Sequence, residues 1–265
     1  MPQIIHKALS YAVRGILFDV HNNLGPLLPE TIYQEAVSYG LRQQRIKHET
    51  EKQFYIIYRE DVVGKFYVDH WIEDGKLLLE LKVTPQIEPV HQAQAISYLK
   101  LTDADLAIVV NFGERSLNDQ RLPNYIRNKT TNVAWHPQPH ADDRLYPVLL
   151  DTLWEVLHRV HFELGPGYIH RVYRRATMIE LAYQDLSYQY VKHIPLYYHD
   201  HFVGTQKTKL IAIDDKLLLA VFALKRIEPV KVAQMKARLR HLNMPLGLLA
   251  NFYGERLEIV VVRVK

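Results

Sequence analysis

The chain has 265 residues, of which 48% are hydrophobic and 23% charged, a composition that excludes a disordered or fibrous protein and allows one large domain or two smaller ones. It contains no cysteine, which excludes disulfides, thiolate zinc sites and iron–sulfur clusters, so any metal has to be bound by oxygen or imidazole ligands. The net charge of +4 is unevenly distributed: residues 1–146 hold 16 Lys and Arg against 18 Asp and Glu, whereas residues 147–265 hold 17 against 11.

The first half of the chain predicts a mixed α/β unit. Apolar residues at helical spacing predict a helix over 7–22, ended by Leu24-Gly25-Pro26, and a second helix follows over 30–44. Runs rich in Tyr, Phe, Ile, Val and Leu predict strands near 49–58, 62–72 and 76–83. Pro89 then opens a third helix, and residues 105–110 form a further strand.

The second half repeats the first at a shift of 140 positions. Short blocks recur in the same order: His21, Leu24-Gly25-Pro26, Tyr33, Val63-Gly64, Leu77-Leu78-Leu79, Ile87-Glu88-Pro89-Val90 and Asn111-Phe112. Seven ordered blocks at one offset indicate a duplication. We therefore predict an α/β fold of two tandem units, 1–127 and 146–265, each a mixed β-sheet flanked by helices, joined by a linker over 128–145 that has no strand or helix period.

Three charged residues in the third predicted strand and its neighbour indicate a candidate catalytic centre. Asp74-Gly75 between two β-rich runs predicts a two-residue hairpin turn, which would pair residues whose numbers sum to 149 and would set Asp69 opposite Glu80. Lys82 shares the face of Glu80. Two facing carboxylates at ~5 Å and an effective dielectric of ~20 repel by about 3 kcal/mol, which a hard divalent cation would offset.

The alternative is a salt-bridge cluster on an exposed hairpin face. At the shifted positions the three groups become Lys209, Ala220 and Phe222, while the triple leucine still marks the same hairpin. The fold therefore tolerates the loss of all three groups, which argues that they do not hold the hairpin together.

The ordered motifs of the first unit resemble the GxxExxY family of the PD-(D/E)XK nuclease superfamily. The segments that carry the resemblance are Gly25-Pro26, Glu30-Thr31-Ile32-Tyr33, Asp69, Glu80-Leu81-Lys82, His91-Gln92-Ala93-Gln94 and Tyr98-Leu99. The resemblance covers essentially the whole first unit and, at lower similarity, the second. Leu27 stands where the family has a second glycine.

This resemblance implies a role for each motif residue. Asp69 and Glu80 would bind Mg²⁺ or Mn²⁺, with the backbone carbonyl of Leu81 as a further ligand and Glu30 holding the metal or its water. Lys82 would orient or activate the attacking water, and Gln94 would help to position the scissile phosphate.

The second unit is expected to be a degenerate pseudo-nuclease. It carries His170 in place of Glu30 and lacks the carboxylate pair, so no metal site remains. Its excess of basic residues is typical of a nucleic-acid platform, although an ordinary solvated surface has the same composition. The residues that we expect to contact nucleic acid are Arg171, Arg174, Arg175, Lys231, Lys236, Arg238 and Arg240.

The sequence thus predicts a metal-dependent nuclease that acts on DNA or RNA, with one active centre per chain. Cleavage of both strands of a duplex would require a homodimer or two successive binding events by one chain. The alternative is a non-catalytic nucleic-acid-binding or scaffold protein. No stretch approaches 18 uninterrupted apolar residues and the N-terminal segment has no signal-peptide pattern, so we expect no membrane partner and a cytoplasmic location.

Overall fold

The computed structural model describes residues 5–124 and 145–264. They form two five-stranded mixed sheets, each flanked by helices, and the predicted fold class is confirmed. The described residues fall into two compact units, the first comprising 5–57 and 64–124 and the second 58–63 and 145–264. The predicted linker over 128–145 lies outside the described residues except for Leu145.

The first unit contains three helices and five strands. In chain order these are α1 (Lys7–Leu24), α2 (Glu30–Gln43), β1 (His48–Tyr58), β2 (Asp61–Ile72), β3 (Leu77–Lys82), α3 (Pro89–Thr102), β4 (Leu106–Asn111) and β5 (Asn118–Pro123). The boundaries predicted for the first four strands and the first two helices agree with these to within two residues. Strand β5 was not predicted, because its polar residues occupy a half-buried edge position without the apolar alternation that signals a strand.

The first sheet has the order β1-β2-β3-β4-β5. The β2–β3 and β4–β5 pairs are antiparallel, whereas β3 and β4 run parallel and are connected through α3. The parallel pair brings the carboxyl ends of both strands to one edge of the sheet, where Lys82 pairs with Asn111.

The core of the first unit explains which face of β3 carries the charged residues. Leu77, Leu79 and Leu81 are fully buried in a cluster with residues of α1 and α2. Because successive side chains of a strand point to opposite faces, Glu80 and Lys82 lie on the other side of the sheet from these leucines. The helical layer therefore fixes the face on which the charged pair stands.

The second unit repeats the same order of elements. These are α4 (Pro147–Leu164), α5 (His170–Tyr183), β6 (Tyr188–Tyr198), β7 (His201–Ile213), β8 (Leu217–Phe222), α6 (Pro229–His241), β9 (Leu246–Asn251) and β10 (Glu258–Arg263). The sheet order is β10-β9-β8-β7-β6, with β8 and β9 parallel. Within 5–124 and 145–264, no helix has both the length and the apolarity needed to cross a bilayer.

Candidate active site

The β2–β3 turn adopts the conformation that its sequence predicts. Asp74 has φ 55° and ψ 34°, Gly75 has φ 96°, and the N–H of Lys76 donates to the carbonyl of Glu73 at 3.2 Å. Positive φ at both central residues is the requirement of the tight hairpin turn for which Asp-Gly is favoured. The ladder pairs Ile72 with Leu77 and continues to His70 with Leu79. This is the predicted register, in which the numbers of paired residues add up to 149.

Asp69 stands one residue beyond the last ladder pair. Its Oδ2 accepts a 2.7 Å hydrogen bond from the backbone N–H of Leu81. The predicted direct pairing of Asp69 with Glu80 therefore needs correction: the backbone ladder stops at His70, and the carboxylate takes over as the acceptor for β3. The hydrogen bond to β3 uses Oδ2 of Asp69 and leaves Oδ1 out of this contact.

Glu80 and Lys82 form a buried, hydrogen-bonded pair. The Nζ of Lys82 lies 3.1 Å from Oε2 of Glu80, and the side chains of Lys82 and Glu80 are 16% and 4% exposed. The second oxygen of Glu80, Oε1, is buried and has no hydrogen-bond partner among the described residues. A buried polar atom without a partner costs free energy, so this oxygen marks a position where a ligand is expected.

Burial and like charges determine the ionisation of the two acids. Burial raises the pKa of Glu80 to about 8; the Lys82 ammonium opposes this shift, and the Asp69 carboxylate adds to it. Burial also raises the pKa of Asp69 above its ordinary value, against the opposing effect of the hydrogen bond from Leu81. The free site thus holds more protons near neutrality than ordinary carboxyl groups would.

Lys82 and Glu30 belong to the same electrostatic cluster. Burial disfavours the charge on Lys82, but the carboxylates of Glu80, Asp69 and Glu30 outweigh it and raise its pKa, so the ammonium stays charged. Glu30 lies at the first turn of α2, and its pKa is raised by partial loss of solvent around the carboxyl group and by the charge of Asp69. The structure therefore brings four of the five predicted catalytic side chains into one interacting group.

The fifth residue, Gln94, lies on α3. Its Nε2 donates a 2.7 Å hydrogen bond to the hydroxyl of Tyr98, and the Tyr98 ring stacks on Phe66 of β2 with ring centroids 4.2 Å apart. This contact holds the Gln94 amide on α3; no described hydrogen bond joins it to the acid cluster.

The acid cluster alone does not form a complete metal cage. Among the described residues, no group of three or more His, Cys, Asp or Glu side chains is arranged to hold a metal ion. The oxygen donors expected from the sequence are the carboxylate of Asp69, the carboxylate of Glu80, whose Oε1 is unpartnered among the described residues, and the carbonyl of Leu81. Two carboxylates with a backbone carbonyl suit Mg²⁺ or Mn²⁺, since these ions keep several waters and take few protein ligands. The donor set therefore fits the predicted metal.

The tyrosine of the Glu-x-x-Tyr segment has a structural role. Tyr33 is fully buried, donates to the carbonyl of Gly25 at 2.6 Å, accepts from the N–H of Leu28 at 3.1 Å and stacks on Phe112. Tyr173 makes the equivalent contacts in the second unit, where the acids are absent. Recurrence of the tyrosine in both copies is the sequence signal that agrees with this structural role.

Leu27, which stands where the resemblance to the GxxExxY family leads one to expect a glycine, adopts a left-handed conformation with φ 68°. The corresponding residue of the second unit is Gly167, with φ 108°. Both second helices nevertheless begin at the same relative position, Glu30 and His170. The departure from the pattern therefore leaves the helix start unchanged and places a strained non-glycine residue before it.

The second unit differs from the first at every acid position and by one residue in register. Its ladder pairs Ile213 with Leu217 and Leu210 with Ala220, so three residues lie between the members of the last ladder pair, whereas four do so in the first unit. By this register the counterpart of Asp69 is Leu210, not Lys209 as the constant shift of 140 predicted. A one-residue insertion in β7, accommodated by register shifts against β6, compensates for the shorter turn.

A family model described as the PD-(D/E)XK nuclease superfamily matches residues 7–122 and again residues 148–264. The chain belongs to this superfamily. Its PD-(D/E)XK relatives are usually nucleases that use divalent metals such as Mg²⁺ and act on nucleic acids. No curated protein matches the chain. A solved structure, described as the crystal structure of SSO0001, is 16% identical, covers 44% of this chain and 77% of its own, and has a TM-score of 0.26. A likeness at that level carries no weight for fold or function.

The basic residues that we predicted to contact nucleic acid in this PD-(D/E)XK protein lie on α5 and α6. Arg171, Arg175, Lys236 and Arg240 are exposed, as expected of such contacts. Arg174 differs from them because it is only 6% exposed. The seven side chains therefore do not form one uniform surface.

Proposed function

We propose that the first unit hydrolyses phosphodiester bonds of DNA or RNA with Mg²⁺ or Mn²⁺, and that the chain belongs to the GxxExxY branch of the superfamily. The observation that carries this proposal is the buried Glu80–Lys82 pair with an unpartnered Glu80 oxygen beside Asp69. A structural ion pair alone would not leave a buried carboxylate oxygen without a partner.

Asp69 and Glu80 would hold the metal, together with the carbonyl of Leu81, and Glu30 would reach it through a water molecule. When bound, the metal supplies positive charge for the phosphate oxygens and lowers the pKa of water. The metal would also provide Glu80 with the partner that its buried oxygen lacks, and its charge favours the ionised form of both acids.

Lys82 would act on the attacking water and on the scissile phosphate. Its ammonium is charged in the free cluster and lies next to Glu80, so it can hold the water by donating a hydrogen bond and can neutralise charge that develops on the phosphate. The water oxygen forms a bond to phosphorus and releases a proton to solvent, the ester P–O bond breaks, and the leaving oxygen takes up a proton from solvent. Gln94 would position the phosphate from α3.

The second unit would serve as a pseudo-nuclease that binds nucleic acid or supports the first unit. It has no carboxylate at the positions of Glu80 and Glu30, which are Ala220 and His170. The cytoplasmic location and the pairing of chains as a homodimer remain predictions from the sequence.

A second candidate function is non-catalytic binding of nucleic acid by both units. It is favoured by one observation: within the described parts of the chain, no three acidic or imidazole side chains converge on a metal position. If this second function is correct, the Glu80–Lys82 pair has no catalytic role, and binding does not depend on a divalent cation.

A nuclease assay on the full chain separates the two functions. Single- and double-stranded DNA and RNA are incubated with Mg²⁺, with Mn²⁺ and with a chelator. We expect metal-dependent cleavage that Glu80→Gln and Lys82→Met reduce by at least about a hundredfold. Glu35→Gln, which removes an exposed acid of the same helix as Glu30, is the matched control and should cleave normally. Undiminished cleavage by Glu80→Gln would reject the proposed site, and metal-independent binding without cleavage would favour the second candidate.

A further inference from the structure

The second unit has a pocket of about 360 Å³ where the first unit has its acid cluster. Its walls include His170, Leu210, Ala220, Phe222 and Gln234. By helix position and strand register, these correspond to the five predicted catalytic residues of the first unit. The pocket is therefore the position of the lost catalytic centre.

The charge of this position is reversed between the two copies. The first unit has three acids and one lysine there, whereas the second-unit pocket is lined by five cationic side chains and a histidine, with no Asp or Glu among the described residues: Arg174, Lys207, Lys209, Lys231, Arg238 and His170. Three of the cations stand at positions that are uncharged or weakly basic in the first unit, where Gln34, His91 and Tyr98 correspond to Arg174, Lys231 and Arg238. Loss of catalysis alone would not require added positive charge.

Arg174 is the most informative of these residues. It is 6% exposed, and its Nε and Nη1 atoms are buried with no hydrogen-bond partner among the described residues. Its guanidinium lies 5.3 Å from the centroid of the Tyr190 ring, which leaves the N–H donors unsatisfied. A buried unpaired guanidinium is costly, and a planar donor fork of this kind matches the oxygens of a phosphate or carboxylate.

The cations next to Arg174 also lack a negatively charged partner among the described residues of the pocket. Burial lowers the pKa of Arg174 and of Arg238, and the Nε of Arg238 is also buried without a partner among the described residues. The pKa of His170 is lowered by burial and by the positive charges of Arg174 and Lys209. An anion in the pocket would relieve this mutual repulsion.

The pocket also has an apolar wall. Leu210, Ala220, Phe222 and Leu224 contribute it, and the Nζ of Lys231 lies 5.9 Å from the centroid of the Phe222 ring. A small inorganic anion would leave this surface bare, whereas a nucleotide would cover it with its sugar or base while its phosphate meets the cations.

We propose that the second-unit pocket binds the phosphate group of a nucleotide, either free or within a strand, with Arg174 as the principal donor. The choice of a nucleotide rests on the proposed function, whereas the anion site depends only on residues of the second unit. The vacated catalytic centre has thereby become a binding site that needs no metal.

The test uses the full chain with a chelator present, so that no hydrolysis occurs. Binding of inorganic phosphate, adenosine 5′-monophosphate and 5′-phosphorylated DNA and RNA oligonucleotides is measured by calorimetry or fluorescence anisotropy. Two variants remove the same charge: Lys209→Ala with Lys231→Ala inside the pocket, and Lys216→Ala with Arg256→Ala at exposed positions outside it. We expect the pocket pair to weaken binding of a phosphorylated probe by about tenfold or more, and the outer pair by less than about threefold.

The pattern across probes identifies the source of the phosphate. Pocket-dependent binding of the mononucleotide assigns a free nucleotide, and pocket-dependent binding of oligonucleotides alone assigns a strand. Equal weakening by both double variants would overturn the pocket in favour of general surface attraction, as would failure of every probe to bind. Arg174→Met provides a second variant, whose folding is checked by its thermal transition.

The nuclease assay, carried out in parallel, keeps the two proposals apart. Pocket-dependent binding without cleavage would leave the anion site standing and reject the nuclease. Metal-dependent cleavage with no pocket-dependent binding would do the reverse.

Discussion

Asp69 is bonded through its carboxylate to the backbone N–H of Leu81, the residue that separates Glu80 from Lys82. The candidate metal ligand on β2 is thus tied to the strand that carries the other ligand. The Asp69 side chain therefore has two roles, a hydrogen bond that stabilises the fold and a proposed metal contact, and different substitutions can remove them separately.

Asp69→Asn and Asp69→Ala are expected to differ in stability but not in activity. Both remove a negative charge from the proposed metal site and should lower cleavage by at least about a hundredfold. Only the alanine also leaves the buried N–H of Leu81 without an acceptor, which costs about 1–3 kcal/mol of unfolding free energy. Chemical denaturation of both variants measures the difference. Equal destabilisation would show that the hydrogen bond to Leu81 contributes nothing.

The metal-free protein should lose stability as the pH rises. Burial raises the pKa of Glu80 to about 8 in the folded state, whereas in the unfolded chain it returns to its ordinary value near 4.5. A raised carboxyl pKa means that the folded state keeps its proton longer, so the contribution is full below the unfolded value and is lost between about pH 4.5 and pH 8. The loss should be on the order of a few kcal/mol. Denaturation across this range, with chelator present, should show the decline, and Glu80→Gln should show a flatter profile.

Metal binding should release protons in the same pH window. A carboxyl group has to be ionised to ligate a cation, and Glu80 holds its proton up to about pH 8. Calorimetric titration with Mn²⁺ near neutral pH, repeated in buffers of different ionisation enthalpy, should reveal up to about one proton released per ion. The number should fall towards zero well above pH 8. Proton release that is unchanged in Glu80→Gln would assign the proton to another group.

Leu27→Gly should stabilise the protein by up to about 1 kcal/mol, because a non-glycine residue pays for its left-handed conformation. Leu27 is 70% exposed, so little buried surface is lost with its side chain. The reciprocal change, Gly167→Ala at φ 108°, is the control and should destabilise. Thermal unfolding measures both, and a loss of stability in Leu27→Gly would mean that the Leu27 side chain makes a net favourable contribution.

Arg174→Met should raise stability in phosphate-free buffer by about 1 kcal/mol, although most buried substitutions lower it. The reason is that methionine replaces an unpaired buried charge with an apolar chain of similar length. Phosphate or a nucleotide should raise the unfolding temperature of the original chain but not that of the variant. Arg256→Met, at an exposed position of the second unit outside the pocket, is the control and should change neither property. Destabilisation by Arg174→Met would indicate that the guanidinium already has an adequate environment.

Local chemistry explains why much of the first unit could be predicted. Asp74-Gly75 specifies its own turn, the turn specifies the register, and the alternation of Leu77, Leu79 and Leu81 specifies the buried face. These features depend on residues close together in the chain. The roles assigned to Glu30, Asp69, Glu80, Lys82 and Gln94 remain predictions that the experiments above address.

Features that depend on distant residues could not be predicted in the same way. The register of a hairpin is predicted from backbone pairing alone, so it does not show that the N–H of Leu81 donates to the Asp69 side chain and not to a backbone carbonyl. The burial of Arg174 depends on the packing of α5 against the second sheet, which a basic helix in the sequence does not reveal. Lys207 and Lys209 were not predicted to bind nucleic acid for a related reason, because only the folded strand brings them to the same pocket as residues of α6.

The one-residue difference between the two hairpins has a consequence for protein engineering. Residues 61–82 and 201–222 have equal length, so the two hairpins align without a gap. The pairing of β7 with β8 nevertheless differs by one residue from the pairing of β2 with β3. Anyone who wished to restore catalysis to the second unit would be led to place aspartate at Lys209, one residue away from the position that pairs with Ala220. Leu210 is the position opposite Ala220, so a revived centre would have to start from Leu210→Asp.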